Sequence, residues 1–242
     1  MRNTSLAIMI LLSTVSLAQE KQPEQKSFIA PYATFSLNSN GIAAIPAFSL
    51  DHPAFVCSVS LVKGRFSYDP TLAYSLEMKP WYIDNWFHYK IITGPKFDLK
   101  AGVNFSTFCS GLSVNGVEIL KAERYFAFSI SGTYKFSPRS SLSLDYWSDN
   151  GQETGSLTGH FICLTYDRSE VPIGKKGLVA LNVLLFYINY TGNNDGLFVT
   201  PKITFSLRDF PVSLFFQATQ AIQSNIEPWP GFKWNVGVGY TL

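Results

Sequence analysis

Residues 97–107 read Phe97-Asp98-Leu99-Lys100-Ala101-Gly102-Val103-Asn104-Phe105-Ser106-Thr107. Phe97, Leu99, Ala101, Val103 and Phe105 share one parity, and Asp98, Lys100, Gly102, Asn104 and Ser106 share the other. Successive side chains of a β-strand point to opposite faces, so this stretch is a strand with one apolar and one polar side. The pattern recurs in both directions along the chain. Toward the N-terminus, Phe66, Tyr68, Leu72, Tyr74 and Leu76 alternate with Arg65, Ser67, Asp69, Thr71 and Ser75. Toward the C-terminus, Leu197, Val199, Pro201, Ile203, Phe205 and Leu207 alternate with Phe198, Thr200, Lys202, Thr204 and Ser206. The last residues repeat it, with Trp234, Val236, Val238, Tyr240 and Leu242 against Asn235, Gly237, Gly239 and Thr241.

Twelve such runs are expected, at 27–37, 52–62, 65–76, 81–92, 96–107, 121–136, 139–148, 156–168, 177–190, 196–207, 211–222 and 232–242. A strand of about ten residues, rising ~3.3 Å each and tilted ~40°, covers roughly 25 Å, the height of the apolar band of a membrane β-barrel. Strands of soluble sheets average about five or six residues. Short connections (Lys63-Gly64, Thr93-Gly94-Pro95, Ser137-Pro138, 173–176 and Arg208-Asp209-Phe210) alternate with mostly longer ones at 38–51, 77–80, 108–120, 149–155, 191–195 and 223–231. That alternation predicts an all-β, single antiparallel barrel of about 12 strands, with both termini and all tight turns on the periplasmic side. Residues 42–50 (IAAIPAFSL) are the one segment that offers a further strand, which would break the even count. The alternative fold is a soluble barrel or sandwich, which would turn the apolar face inward.

Composition agrees with a membrane barrel. The 242 residues carry 46% hydrophobic and 15% aromatic residues but only 15% charged ones, against roughly 25% in soluble domains. A formal net charge of +2 gives no reason to expect nucleic-acid binding. The mean hydropathy of +0.09 suits a chain in which only alternate residues face lipid. After residue 18 no uncharged apolar run is long enough for a spanning helix. Residues 1–18 have the plan of a secretory signal peptide: Arg2, an apolar run from Leu6 to Leu17, and Ser16-Leu17-Ala18 for cleavage. Residues 19–26 (QEKQPEQK) read as a loose periplasmic tail, leaving 27–242 for the barrel. Three cysteines, Cys57, Cys109 and Cys163, show no CxxC or Cys/His grouping and supply neither a disulfide framework nor a zinc site.

Several segments then carry a resemblance: Ser16-Leu17-Ala18-Gln19, Arg65-Phe66-Ser67-Tyr68-Asp69-Pro70, Lys79-Pro80-Trp81, Trp86-Phe87-His88-Tyr89-Lys90 and Trp234-Asn235-Val236-Gly237-Val238-Gly239-Tyr240. In them the chain resembles the small, porin-like outer-membrane β-barrel proteins of Gram-negative bacteria, particularly those of the Bacteroidota. The resemblance covers most of the mature chain. It implies an outer-membrane location, outer-membrane lipids and the barrel-assembly machinery as partners, and no assigned reaction or cofactor. Terminal strands of the family usually end in Phe, whereas this one ends in Leu242.

Parity places Arg65, Asp69, Asp84, His88, Lys90, Asp98, Lys100, Glu123, Lys135, Asp145 and Lys202 on wet faces, as candidates to line a lumen. Their mixed signs fit either a sealed, charge-paired interior or a narrow path for small solutes. Trp81, Tyr82, Trp86, Tyr89, Tyr146, Trp147 and Tyr166 stand near strand ends, where aromatic girdles belong. No catalytic, cofactor or metal set emerges. His52, His88 and His160 are the only histidines. Ser156 and His160 lie four residues apart on one strand, about 13 Å at ~3.3 Å per residue, too far to pair. The expected function is a small passive channel or a structural barrel. The alternatives are a lipid-hydrolase-like enzyme and a binding protein acting through loops 108–120, 149–155 and 223–231.

Overall fold

The computed structural model describes residues 30–242 apart from 115, 192, 193 and 228. The expected signal peptide and tail lie outside the described residues. Twelve strands follow one another: β1 (Ala30–Asn38), β2 (Ala54–Lys63), β3 (Phe66–Ser75), β4 (Pro80–Thr93), β5 (Phe97–Val114), β6 (Val117–Ser137), β7 (Ser140–Gly151), β8 (Thr158–Ile173), β9 (Gly177–Tyr190), β10 (Asn194–Leu207), β11 (Val212–Ser224) and β12 (Phe232–Thr241). Each pairs antiparallel with its neighbours in the chain, and β12 pairs with β1, so the sheet closes on itself. Closure leaves no strand edge unpaired around the ring, as a sheet immersed in hydrocarbon requires. The β2–β3, β4–β5, β6–β7, β8–β9 and β10–β11 turns stand at the end where β1 starts and β12 ends (the turn end). The remaining connections stand at the other (the loop end).

The barrel is inside out relative to a soluble protein. On β5, Asn104 is 5% exposed while its neighbour Phe105 is 54% exposed. Leu144, Ile162, Phe205, Leu214 and Val236 likewise stand on the outer surface, around the ring. A soluble barrel would have buried these side chains, so the soluble alternative fails. The hydrocarbon-like exterior is the direct product of the period-two pattern, because paired strands in register put one parity on each face.

The strand boundaries differ from expectation chiefly at the loop end. Of residues 108–120, expected as a loop, 108–114 continue β5 and 117–120 begin β6, as a ribbon. The last pairs to the neighbouring strands are Tyr82–Phe108 and Tyr125–Gly151. Beyond them β5 and β6 add six cross-strand pairs, from Cys109–Ala122 to Val114–Val117. Alternation had already ended there, but a two-stranded ribbon needs only its own ladder to persist. Residues 42–50 are not a strand either. They fold back into the barrel, with one short 3-10 turn at Pro46–Phe48. A proline, which has no N–H to give a ladder, sits at the start of that turn.

Candidate functional site

The interior holds a cavity of about 810 Å³. Its walls are the inward parity of nearly every strand, with Ser36 on β1, Ser58 on β2, Asp84 on β4, Asn104 on β5, Asp145 on β7 and Lys202 on β10. Cross-strand register sets these residues side by side. Thr71 stands opposite Asp84, Asp84 opposite Ser106 and Ser106 opposite Tyr125. The cavity shares Thr204, Ser213 and Thr241 with a second hollow of about 610 Å³ at the turn end. The two spaces adjoin at these three residues.

Of the candidates read from the sequence, Asp84, His88, Lys100, Asp145 and Lys202 all line the cavity. Asp69 lies beside it, bonded to His88. Asp98 and Lys135 form an ion pair at 2.6 Å near the turn end, and the Lys135 ammonium also donates to the Gly94 carbonyl at 3.1 Å. Lys90 stands directly across from Lys100. Glu123 stands across from Phe108, and Lys121 donates to it at 3.0 Å. Arg65 is not on a wet strand face. It occupies the β2–β3 turn beside Gly64, whose φ of +61° suits glycine, and reaches the Ile91 carbonyl at 3.4 Å. The turn takes up the residue that parity alone would have carried inward.

The girdle assignment needs a larger correction. Tyr82, Trp86 and Trp147 face the cavity. Trp81 is buried against Ala54 and Ala73, and its indole N–H donates to the Phe48 carbonyl at 3.0 Å. Trp86 lies flat on His88 with ring centroids 5.3 Å apart, and meets Trp147 edge to face at 6.5 Å. Parity could have separated Tyr82 and Trp86 from Tyr89, which stands on the outer surface, but not Trp81, which shares the parity of Tyr89 and lies beside a register shift between β3 and β4. The expectation erred by using nearness to a strand end instead.

Charges inside the cavity fall into two groups. Asp69 is fully engaged: Ser60 and Ser67 donate their hydroxyls to it, the latter at 2.7 Å, and His88 Nδ1 lies 2.8 Å from its Oδ2. A hydrolytic triad needs the histidine between serine and carboxylate. Here the carboxylate lies between, so neither serine is activated. His160 stands on the outer parity of β8, and its Nδ1 meets the Tyr146 hydroxyl at 2.9 Å rather than a serine. The second group is unpaired. Among the described residues, none of Asp84, Asp145, Asp149, Lys100 and Lys202 forms an ion pair. Asp84 accepts only from the Asn104 amide at 3.3 Å, and the Lys202 ammonium rests 4.2 Å from the Phe215 ring centre. At the loop-end rim, Arg124 donates from its backbone and its guanidinium to Glu153, which holds that carboxyl below its ordinary range.

Gly41 to Ile45 and Phe48 line the cavity toward the loop end. Ile45 is buried in a cluster with Phe161, Cys163, Phe186, Ile188, Tyr190, Phe198, Ala221 and Ile226. Phe48 meets Phe108 edge to face at 5.2 Å and Tyr190 at 6.2 Å. The alternation pattern hides this cluster, because its aromatic members sit on the parity that is polar elsewhere.

A closed 12-strand antiparallel barrel, apolar without and hydrophilic over much of its interior, is the fold of outer-membrane porins. Similarity among solved structures agrees. The KdgM porin, in a complex with disordered oligogalacturonate, superposes with a TM-score of 0.54 at 10% identity, over 86% of this chain and 98% of its own. The NanC porin gives 0.52 at 8% identity, over 88% and 100%. An outer membrane channel from Pseudomonas putida F1 gives 0.50 at 9% identity, over 92% and 99%. No protein-family model and no curated protein sequence matches the chain. At these identities the likeness is one of fold.

Proposed function

We propose that this protein is a passive channel for small solutes in the outer membrane of a Gram-negative bacterium. On this reading it is exported by a cleaved signal peptide, inserted by the barrel-assembly machinery, and held by outer-membrane lipids with its turn end in the periplasm. The observation that carries the reading is the set of unpaired charges around the cavity. An ionised side chain in a dry interior costs several kcal/mol unless it is paired. Five such groups without ion pairs support a water-filled interior. A barrel kept only as a wall would be served better by paired charges or apolar filling. The porin fold of the structural neighbours supports the same reading. Purified protein in planar bilayers is expected to show discrete conductance steps. Absence of steps across independent preparations, in the wild type and in the two variants described below, would reject the channel.

The membrane part of the proposal has its own test. Ile203 points outward and its neighbour Lys202 points inward, so position 202 already tolerates a cation. Ile203→Lys puts the same charge into lipid, between the midplane and interface, and is expected to cost about 2 kcal/mol. Thr204→Lys, on a cavity-lining residue, should cost much less. Urea unfolding in lipid vesicles measures both. Equal losses at the two positions would place lipid on neither face.

A further inference from the structure

We propose that residues 41–50 are the gate of the channel: a self-bonded lobe that closes the loop end and can leave it as one unit. The inference rests on the channel reading above and adds its regulation.

Three observations carry it. First, the lobe crosses the interior. Its Phe48 carbonyl is held by Trp81 on β4, and its Ile45 side chain packs in the cluster that includes Phe198 on β10. Those strands stand six places apart in the ring of twelve, so the lobe reaches opposite walls. It also supplies cavity lining from Gly41 to Ile45, which makes it the ceiling of the water-filled space.

Second, its backbone is bonded to itself rather than to the barrel. Leu50 N–H donates to the Gly41 carbonyl at 2.7 Å, Gly41 N–H to His52 at 2.8 Å, Phe48 N–H to Ile45 at 3.0 Å and Ser49 N–H to Pro46 at 3.1 Å. The Ser49 hydroxyl accepts from Ala43 N–H at 3.1 Å. Among the described residues, two hydrogen bonds join the tip to the wall: Trp81 to the Phe48 carbonyl, and Thr219 to the Ala44 carbonyl at 3.2 Å. Withdrawal breaks these two and uncovers Ile45 and Phe48, but opens no rung of the barrel.

Third, the flanks are fixed where the tip is not. Asn235, 1% exposed, accepts from Asn40 N–H at 3.1 Å and donates to Asn38 at 2.8 Å. Lys233 meets Asp51 at 2.5 Å. Both anchors are on β12. The lobe is thus tethered at its base and held at its tip mainly by apolar contact, an arrangement that pivots rather than melts.

The test uses the full chain, wild type beside two variants. Ile45→Asp places a carboxylate in the apolar socket, and replacement of residues 43–49 by Gly-Gly-Ser removes the tip. In planar phosphatidylcholine bilayers each variant is expected to raise open-channel occupancy at least tenfold. Occupancy equal to wild type in both would overturn the gate and leave the channel reading standing. Silence in all three proteins would overturn both. A second readout does not depend on current. Cys163 shares the Ile45 cluster and is 2% exposed, so it reports on the socket. With Cys57→Ser and Cys109→Ser as background, a charged, membrane-impermeant thiol reagent should modify Cys163 at least tenfold faster in Ile45→Asp. Unchanged labelling in a variant that migrates as a folded barrel would also overturn the gate.

Discussion

Replacing Gly237 by valine is expected to open the barrel where its two ends meet. A Cβ at this position would lie 2.2 Å from the Phe215 ring and 2.7 Å from the Leu37 backbone carbonyl. The ring is the far end of a side chain and can turn away. The carbonyl belongs to β1 and cannot move without disturbing the pairing there. That pairing is short: Thr34–Thr241 to Asn38–Gly237 is five residues, against eighteen between β5 and β6. Overpacking in a tight core costs typically 1–3 kcal/mol, and a clash with backbone at the weakest junction belongs at the top of that range, so a loss of about 3 kcal/mol or more is expected. Heat-modifiable migration and urea midpoints in vesicles would show it. Adding Phe215→Leu should restore only part of the loss. Full restoration would mean that the ring, not the β1 carbonyl, sets the limit.

The second large effect is expected at Phe186. Its side chain is 1% exposed, and its ring lies 5.6 Å from Phe161, 5.7 Å from Trp147 and 6.3 Å from Phe198. Phe186→Ala removes the centre of the aromatic cluster that receives the lobe, and phenylalanine truncations in packed cores cost about 3–5 kcal/mol. The neighbouring Leu185 faces outward, where lipid fills space left by truncation, so Leu185→Ala should cost far less. Equal urea-midpoint shifts for the two variants would show that the cluster is not a packed core.

The architecture was legible because alternation is a local signal that register turns directly into geometry. The strand count, the antiparallel order and the polar positions of Asp84, His88 and Lys100 all follow from parity. What parity could not supply was the content of the loop end. Phe161, Phe186 and Phe198 occupy positions that the pattern reserves for polar residues, and their reason lies across the barrel in Ile45 and Phe48. Residues 42–50 are apolar because they are enclosed, not because they span. A strand reading and an infolded lobe give the same composition, and only the proline at 46 distinguishes them. The long β5–β6 ribbon escaped notice for a related reason: its strands have no barrel neighbours to impose alternation.

The junction of β1 with β12 also dictates when the molecule can exist. Its partners are separated by all the other strands, so a nascent chain that has not yet added β12 has two raw edges and no ring. Contacts between such distant positions form slowly, since a long intervening loop must first be closed. Synthesis of β12 therefore precedes closure of the ring. Until then, eleven strands need an outside surface to hold their free margins apart from one another and from other chains.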